Sequence, residues 1–70
     1  STKNFKLFAD QFINTDLKVL FEEVDKDGYY EGLTDNYMRI KVRSDLDIMG
    51  QILPVRIEEI CDDYCIAGLV

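Results

Sequence analysis

Seventy residues, with 47% hydrophobic, 31% charged, 4 Gly and 1 Pro, make one small globular domain with a thin core, and exclude disordered, collagen-like and low-complexity chains. The 8 Lys+Arg face 14 Asp+Glu, a net charge of −6, which speaks against a free-standing nucleic-acid binder. There is no His and there are 2 Cys, so imidazole bases, Ser-His or Cys-His dyads and His metal ligands are excluded, and no intrinsic catalysis is expected.

Residues 4–13 carry Phe5, Phe8, Ala9, Phe12 and Ile13 at the i, i+3, i+4, i+7, i+8 spacing of a short amphipathic helix, with Asn14 as a left-handed stop. A helix this short is not stable alone. Its Phe stripe either closes one end of the domain that follows or docks on a neighbouring domain.

From residue 15 the apolar period becomes two. Leu17–Val24 reads as a first strand, Asp25-Lys26-Asp27-Gly28 as a turn, and Tyr29–Thr34 as a second strand. Asp35-Asn36 reads as a two-residue turn. Tyr37–Arg43 then alternates as a third strand, with Met38, Ile40 and Val42 inward and Tyr37, Arg39, Lys41 and Arg43 outward. Ser44–Gly50 is a loop, and Gln51–Cys61 a bent fourth strand in which Pro54 requires an edge or a bulge. Asp62-Asp63 turns into a last strand, Tyr64–Val70, where Gly68 marks a bulge or corner. Five short strands joined by tight turns predict an all-β fold, a small five-stranded antiparallel barrel behind an N-terminal helix.

No uncharged run reaches membrane-spanning length and no signal-peptide pattern opens the chain, so no membrane partner is expected. The 2 Cys fall short of a disulfide framework, which fits a reducing cytoplasm. The chain opens on Ser1-Thr2 and ends on Gly68-Leu69-Val70 without a polar tail, and both ends read as cuts in something larger.

The stretch Gly32-Leu33-Thr34-Asp35-Asn36-Tyr37-Met38-Arg39-Ile40-Lys41-Val42 resembles the Gly-x-Thr-x-Asn-Tyr-x-x-Val segment of TRAM domains, the C-terminal part of MiaB-like radical-SAM tRNA methylthiotransferases. Met49–Ile57 and the closing Ala67-Gly68-Leu69-Val70 agree with that family in order and spacing, and Val19–Glu23 resembles its first strand, so the likeness covers nearly the whole chain. The Asn36-Tyr37 form is similar to the threonylcarbamoyladenosine-type branch. The resemblance implies an OB-like barrel over 15–70 that positions the tRNA anticodon stem-loop, with no DNA partner. It makes residues 1–14 a connecting helix from an upstream catalytic domain. That domain, a transferase, would hold the 4Fe-4S clusters and S-adenosylmethionine; this fragment needs no cofactor and binds no metal. The radical-SAM Cys-x3-Cys-x2-Cys signature is absent, and Cys61-x3-Cys65 matches only its first spacing.

The candidate RNA-binding residues are Tyr37, Arg39, Lys41, Arg43 and Arg56. Residues 37–43 hold three cations and no anion, leaving five cations against 14 anions elsewhere, −9. Arg39, Lys41 and Arg43 lie two apart, at about 7 Å intervals on one face. Tyr37 would stack on an unpaired base, and three phosphate contacts predict a log–log salt slope of about −2 on single strands. The competing reading is a solvated face whose cations offset neighbouring carboxylates. Arg56 extends the patch if it points outward. Tyr29 and Tyr30 project to opposite faces, one of them into the core. Phe5, Phe8 and Phe12 are the candidate domain-docking residues. Under the alternative reading the chain is a structural module docked on the catalytic domain, with little RNA contact.

Glu22-Glu23 and Glu58-Glu59 are expected on opposite strand faces, unable to share a proton. Asp25-x-Asp27-Gly28 fails as a calcium loop, because Tyr29 stands where a ligand is needed. Turn parity pairs Cys61 with Tyr64 and disfavours a Cys61–Cys65 disulfide.

Overall fold

The computed structural model describes the backbone of residues 2–70 and the side chains of residues 4–70. Helix α1 (Thr2–Asp10) precedes strands β1 (Asp16–Val24), β2 (Tyr29–Leu33), β3 (Arg39–Arg43), β4 (Ile52–Ile60) and β5 (Cys65–Leu69). The strands close into a barrel in the order β1-β2-β3-β5-β4, with β3 and β5 parallel and every other pair antiparallel. This is the expected five-stranded, OB-like barrel with one short N-terminal helix. The parallel β3–β5 seam is the exception to an otherwise antiparallel design. None of the described helices is long and apolar enough to cross a membrane.

Period-two alternation drives the inward set of every strand. Val19, Phe21, Ile40, Val42, Val55, Ile57 and Cys65 have no exposed surface, and Met38 almost none. The partly buried Phe5, Phe12 and Ile13 pack against this cluster, and Ala9 is fully enclosed. The aromatic stripe therefore closes one end of its own barrel. Phe8 meets Phe12 edge to face at 5.5 Å but stays 41% exposed at the rim. The chain leaves the helix through Asn14, whose φ of 63° is the left-handed stop. Asn14 N–H and Ile57 N–H then bond across to Ile57 and Thr15 carbonyls, tying helix to β4.

Two bulges revise the strand picture. Register shifts fall between Phe21 and Glu23 on β1 and between Ile57 and Glu59 on β4. An extra residue at each place leaves Glu22, Glu23, Glu58 and Glu59 all exposed, instead of alternating in and out. No carboxylate is driven into the core. The second bulge is on β4, not at Gly68 as expected; Gly68 lies opposite, where a Cβ would come within 2.7 Å of Glu58 Oε2. Pro54 sits inside a closed barrel without disrupting it. Its carbonyl accepts from Val70 N–H at 3.4 Å, so its missing donor faces the point where β5 has ended.

Candidate nucleic-acid interface

Strands β2 and β3 form a tight ladder whose outward pairs are Leu33↔Arg39, Glu31↔Lys41 and Tyr29↔Arg43. The three cations of β3 share the outer face, as their spacing required. Their environments differ sharply. Arg39 Nε lies 3.2 Å from Glu31 Oε1, so its charge is already answered by the neighbouring strand. Lys41 Nζ sits 4.4 Å above the ring of Tyr64, which the β4–β5 turn brings alongside because β3 and β5 pair in parallel. Arg43 is exposed, and among the described residues neither it nor Lys41 is ion-paired.

Arg56 does point outward from β4, but it belongs to another surface. The pairs Lys41↔Ile66 and Arg56↔Gly68 put β5 between it and β3. Asp16, its ladder partner on β1, accepts from Nε at 2.9 Å and from Nη2 at 3.4 Å. This hydrogen bond, and after it the Asp16 charge, raises the guanidinium pKa above its ordinary value. Arg56 thus fastens the β1–β4 seam and adds nothing to the β3 row.

Tyr37 leaves the row as well. Thr34 N–H bonds to Met38 O at 3.1 Å and Tyr37 N–H to Thr34 O at 3.0 Å, so the β2–β3 connection is a three-residue loop, not a two-residue turn. Such loops need a left-handed third residue, and Tyr37 supplies it with φ of 64° where glycine is the usual occupant. Thr34, itself buried, pins the loop: its hydroxyl donates to Asn36 Oδ1 and accepts from Met38 N–H. Tyr37, 83% exposed, lines an open depression with Leu20, Leu33 and Ile52 and does not continue the β3 alternation.

Two aromatic residues complete the β2–β3 face in its place. Tyr29 is half-buried opposite Arg43, while Tyr30 joins the core. The Asp25 carboxylate caps the β1–β2 turn, accepting from Asp27 and Tyr29 N–H groups at 2.8 and 3.0 Å, and Gly28 takes φ of 87°. Tyr64 is the residue that sequence reasoning missed. The parity that pairs Cys61 N–H with Tyr64 O at 2.8 Å was readable, but the approach to Lys41 depends on the non-local β3–β5 pairing. The Tyr64 phenol titrates above its usual range, first through its hydrogen bond to Cys61, then because ionising it would add charge beside Cys61, Asp62 and Asp63.

The cysteines do not make a cluster site. Cys65 is fully buried on β5, and burial, followed by the charge of Cys61, pushes its thiol up to about 11. A thiol held that high is an inert hydrophobe at neutral pH. Both cysteines are free. Compared with models of known families and with curated protein sequences, the chain matches none.

Proposed function

We propose that this chain is the RNA-positioning domain of a tRNA-modifying methylthiotransferase, gripping the anticodon stem-loop while chemistry proceeds on other domains of the same protein. The Gly32–Val42 resemblance supplies the family. The observation that carries the reading is the content of the β2–β3 face. On OB-like barrels this face, with the β1–β2 and β4–β5 loops, is where oligonucleotides lie. Here it offers Lys41 and Arg43 without carboxylate partners, flanked by the rings of Tyr64 and Tyr29. Two cations would meet phosphates and two rings would stack on unpaired bases. The iron–sulfur clusters and S-adenosylmethionine belong, on this reading, to the upstream catalytic domain.

With two free cations in place of three, the salt slope on single-stranded RNA becomes about −1.4, so the isolated domain binds weakly. The test is titration of the isotope-labelled chain with an anticodon stem-loop. Amide shifts are expected at Tyr29, Lys41, Arg43 and Tyr64, and the double variant K41E/R43E should abolish them. Unchanged shifts in that variant would overturn the assignment. A second reading, a docking module with little RNA contact, is favoured by the ion pairs that engage Arg39 and Arg56; it requires a titration in which nothing moves.

A further inference from the structure

Beside the β2–β3 face the barrel carries an apolar groove. Leu20 on β1 is the ladder partner of both Leu33 on β2 and Ile52 on β4, so three aliphatic side chains meet on the outside of the barrel. They are 37%, 42% and 64% exposed, and together with Tyr37 they line an open depression of about 360 Å³. A surface strand of an isolated domain would ordinarily place polar groups at these outward positions; contiguous apolar ones mark an interaction site. Glu22 and Asp35 line the same groove, and Glu23 and Glu31 continue the acidic border, where Arg39 is already engaged by Glu31.

These features restrict the occupant. Polyanionic RNA is repelled by the carboxylate rim. A second copy of this chain carries net charge −6, which opposes self-association at long range. An added β-strand is excluded because the barrel is closed and has no free edge beside the groove. We infer that the Leu20–Leu33–Ile52–Tyr37 groove receives a basic amphipathic helix of a partner protein, its apolar ridge on the aliphatic floor and its Lys or Arg side chains on Glu22 and Asp35. The loop that carries Tyr37 is pinned at its backbone, by Tyr37 N–H to the Thr34 carbonyl and by the Thr34 hydroxyl to Asn36 and Met38.

The probe is a synthetic helix with Leu at i, i+3, i+4 and i+7 and Lys on the flanks, titrated into the labelled chain alongside a counterpart with Glu for every Lys. The basic peptide is expected to move the Leu20, Leu33, Tyr37 and Ile52 resonances and to bind about tenfold or more tightly than the acidic one. L20D/I52D should lose binding while the spectrum away from the groove is kept. E22K/D35K, which leaves the aliphatic floor untouched, should remove most of the preference for the basic peptide, and an unchanged preference would overturn the charge pairing. K41E/R43E should leave peptide binding unchanged, which separates this site from RNA contact. Equal binding of both peptides, shifts centred elsewhere, concentration-dependent dimers formed through the groove, or groove resonances that move with RNA would each overturn the assignment.

Discussion

The β2–β3 face and the Leu20–Ile52 groove adjoin along Leu33 and the Arg39–Glu31 pair, yet they are made from opposite materials. One combines cations with aromatic rings, Lys41 over Tyr64 and Arg43 beside Tyr29. The other sets aliphatic side chains inside a carboxylate border. In a chain of net charge −6, the first surface is the exception and the second follows the average. Backbone conformation at one residue decides which of them Tyr37 joins. On the β3 alternation it would share the face of Arg39; with φ of 64° it lines the groove instead.

Both surfaces rest on Gly32. Its hydrogen faces β1 so closely that an added Cβ would collide with the Leu20 carbonyl and lie 2.7 Å from Val19 Cγ1. Gly32→Ala is therefore expected to cost about 3 kcal/mol or more and to destroy both surfaces together, measured by chemical denaturation and loss of amide dispersion. A fully stable alanine variant would show that β1 and β2 can separate without consequence.

Alkaline pH tests the cationic face and the β3–β5 seam beneath it. The folded Cys65 thiol is pushed up to about 11 from an ordinary 9.0, so between these values the folded state holds a proton that the unfolded chain has lost. Stability is then intact below about pH 9 and falls as pH rises through about 11. Cys65→Ala should remove the Cys65 part of this slope and leave that of Tyr64, whose phenol is also raised, at the expense of a small cavity at neutral pH. Thermal melts across that range decide it, and hydrogen exchange should place the first loosening at β3 and β5.

Tyr37 offers a smaller and more selective perturbation. Tyr37→Gly relieves the left-handed conformation of a bulky residue, worth about 1 kcal/mol, while removing the wall of the groove. A melt at or above that of the parent chain, with weakened binding of the basic peptide, is expected; lower stability would mean that the ring contributes more by packing than its conformation costs. The least effect belongs to the engaged cations. Arg39→Gln and Arg56→Gln should change affinity for the anticodon stem-loop by less than about twofold, since their charges are already answered on the surface. A large loss from either, in filter binding or fluorescence anisotropy, would restore them to the RNA-contacting set.

Strand number, strand limits and most turns were legible in the sequence because alternation and turn chemistry are local. The Phe5–Phe12 stripe, the left-handed Asn14 and Gly50, and the Cys61–Tyr64 pairing all followed from spacing or residue type. The misplacements are of another kind. Tyr37 looked like a strand residue because the loop's demand for positive φ normally selects glycine or asparagine, and tyrosine hid it. Glu22-Glu23 and Glu58-Glu59 looked split between faces because a bulge leaves no reliable mark on composition. The capture of Arg39 by Glu31, and of Arg56 by Asp16, could have been suspected from the acidic excess, but the partners depend on register across strands. Tyr64 required knowing that β5 lies beside β3.

The seam that ends the ring has a kinetic consequence. Asp16 meets Arg56 across 40 positions of chain, whereas β1, β2 and β3 are neighbours in sequence. The three-stranded meander can assemble early, but the outer side of β1 keeps its amide row unsatisfied until β4 is complete and carried back to it. During that interval the open edge of β1, with Leu17, Val19 and Phe21 uncovered, is available to any other nascent chain. Slow growth of the barrel, rather than weakness of the finished ring, is therefore where aggregation would begin.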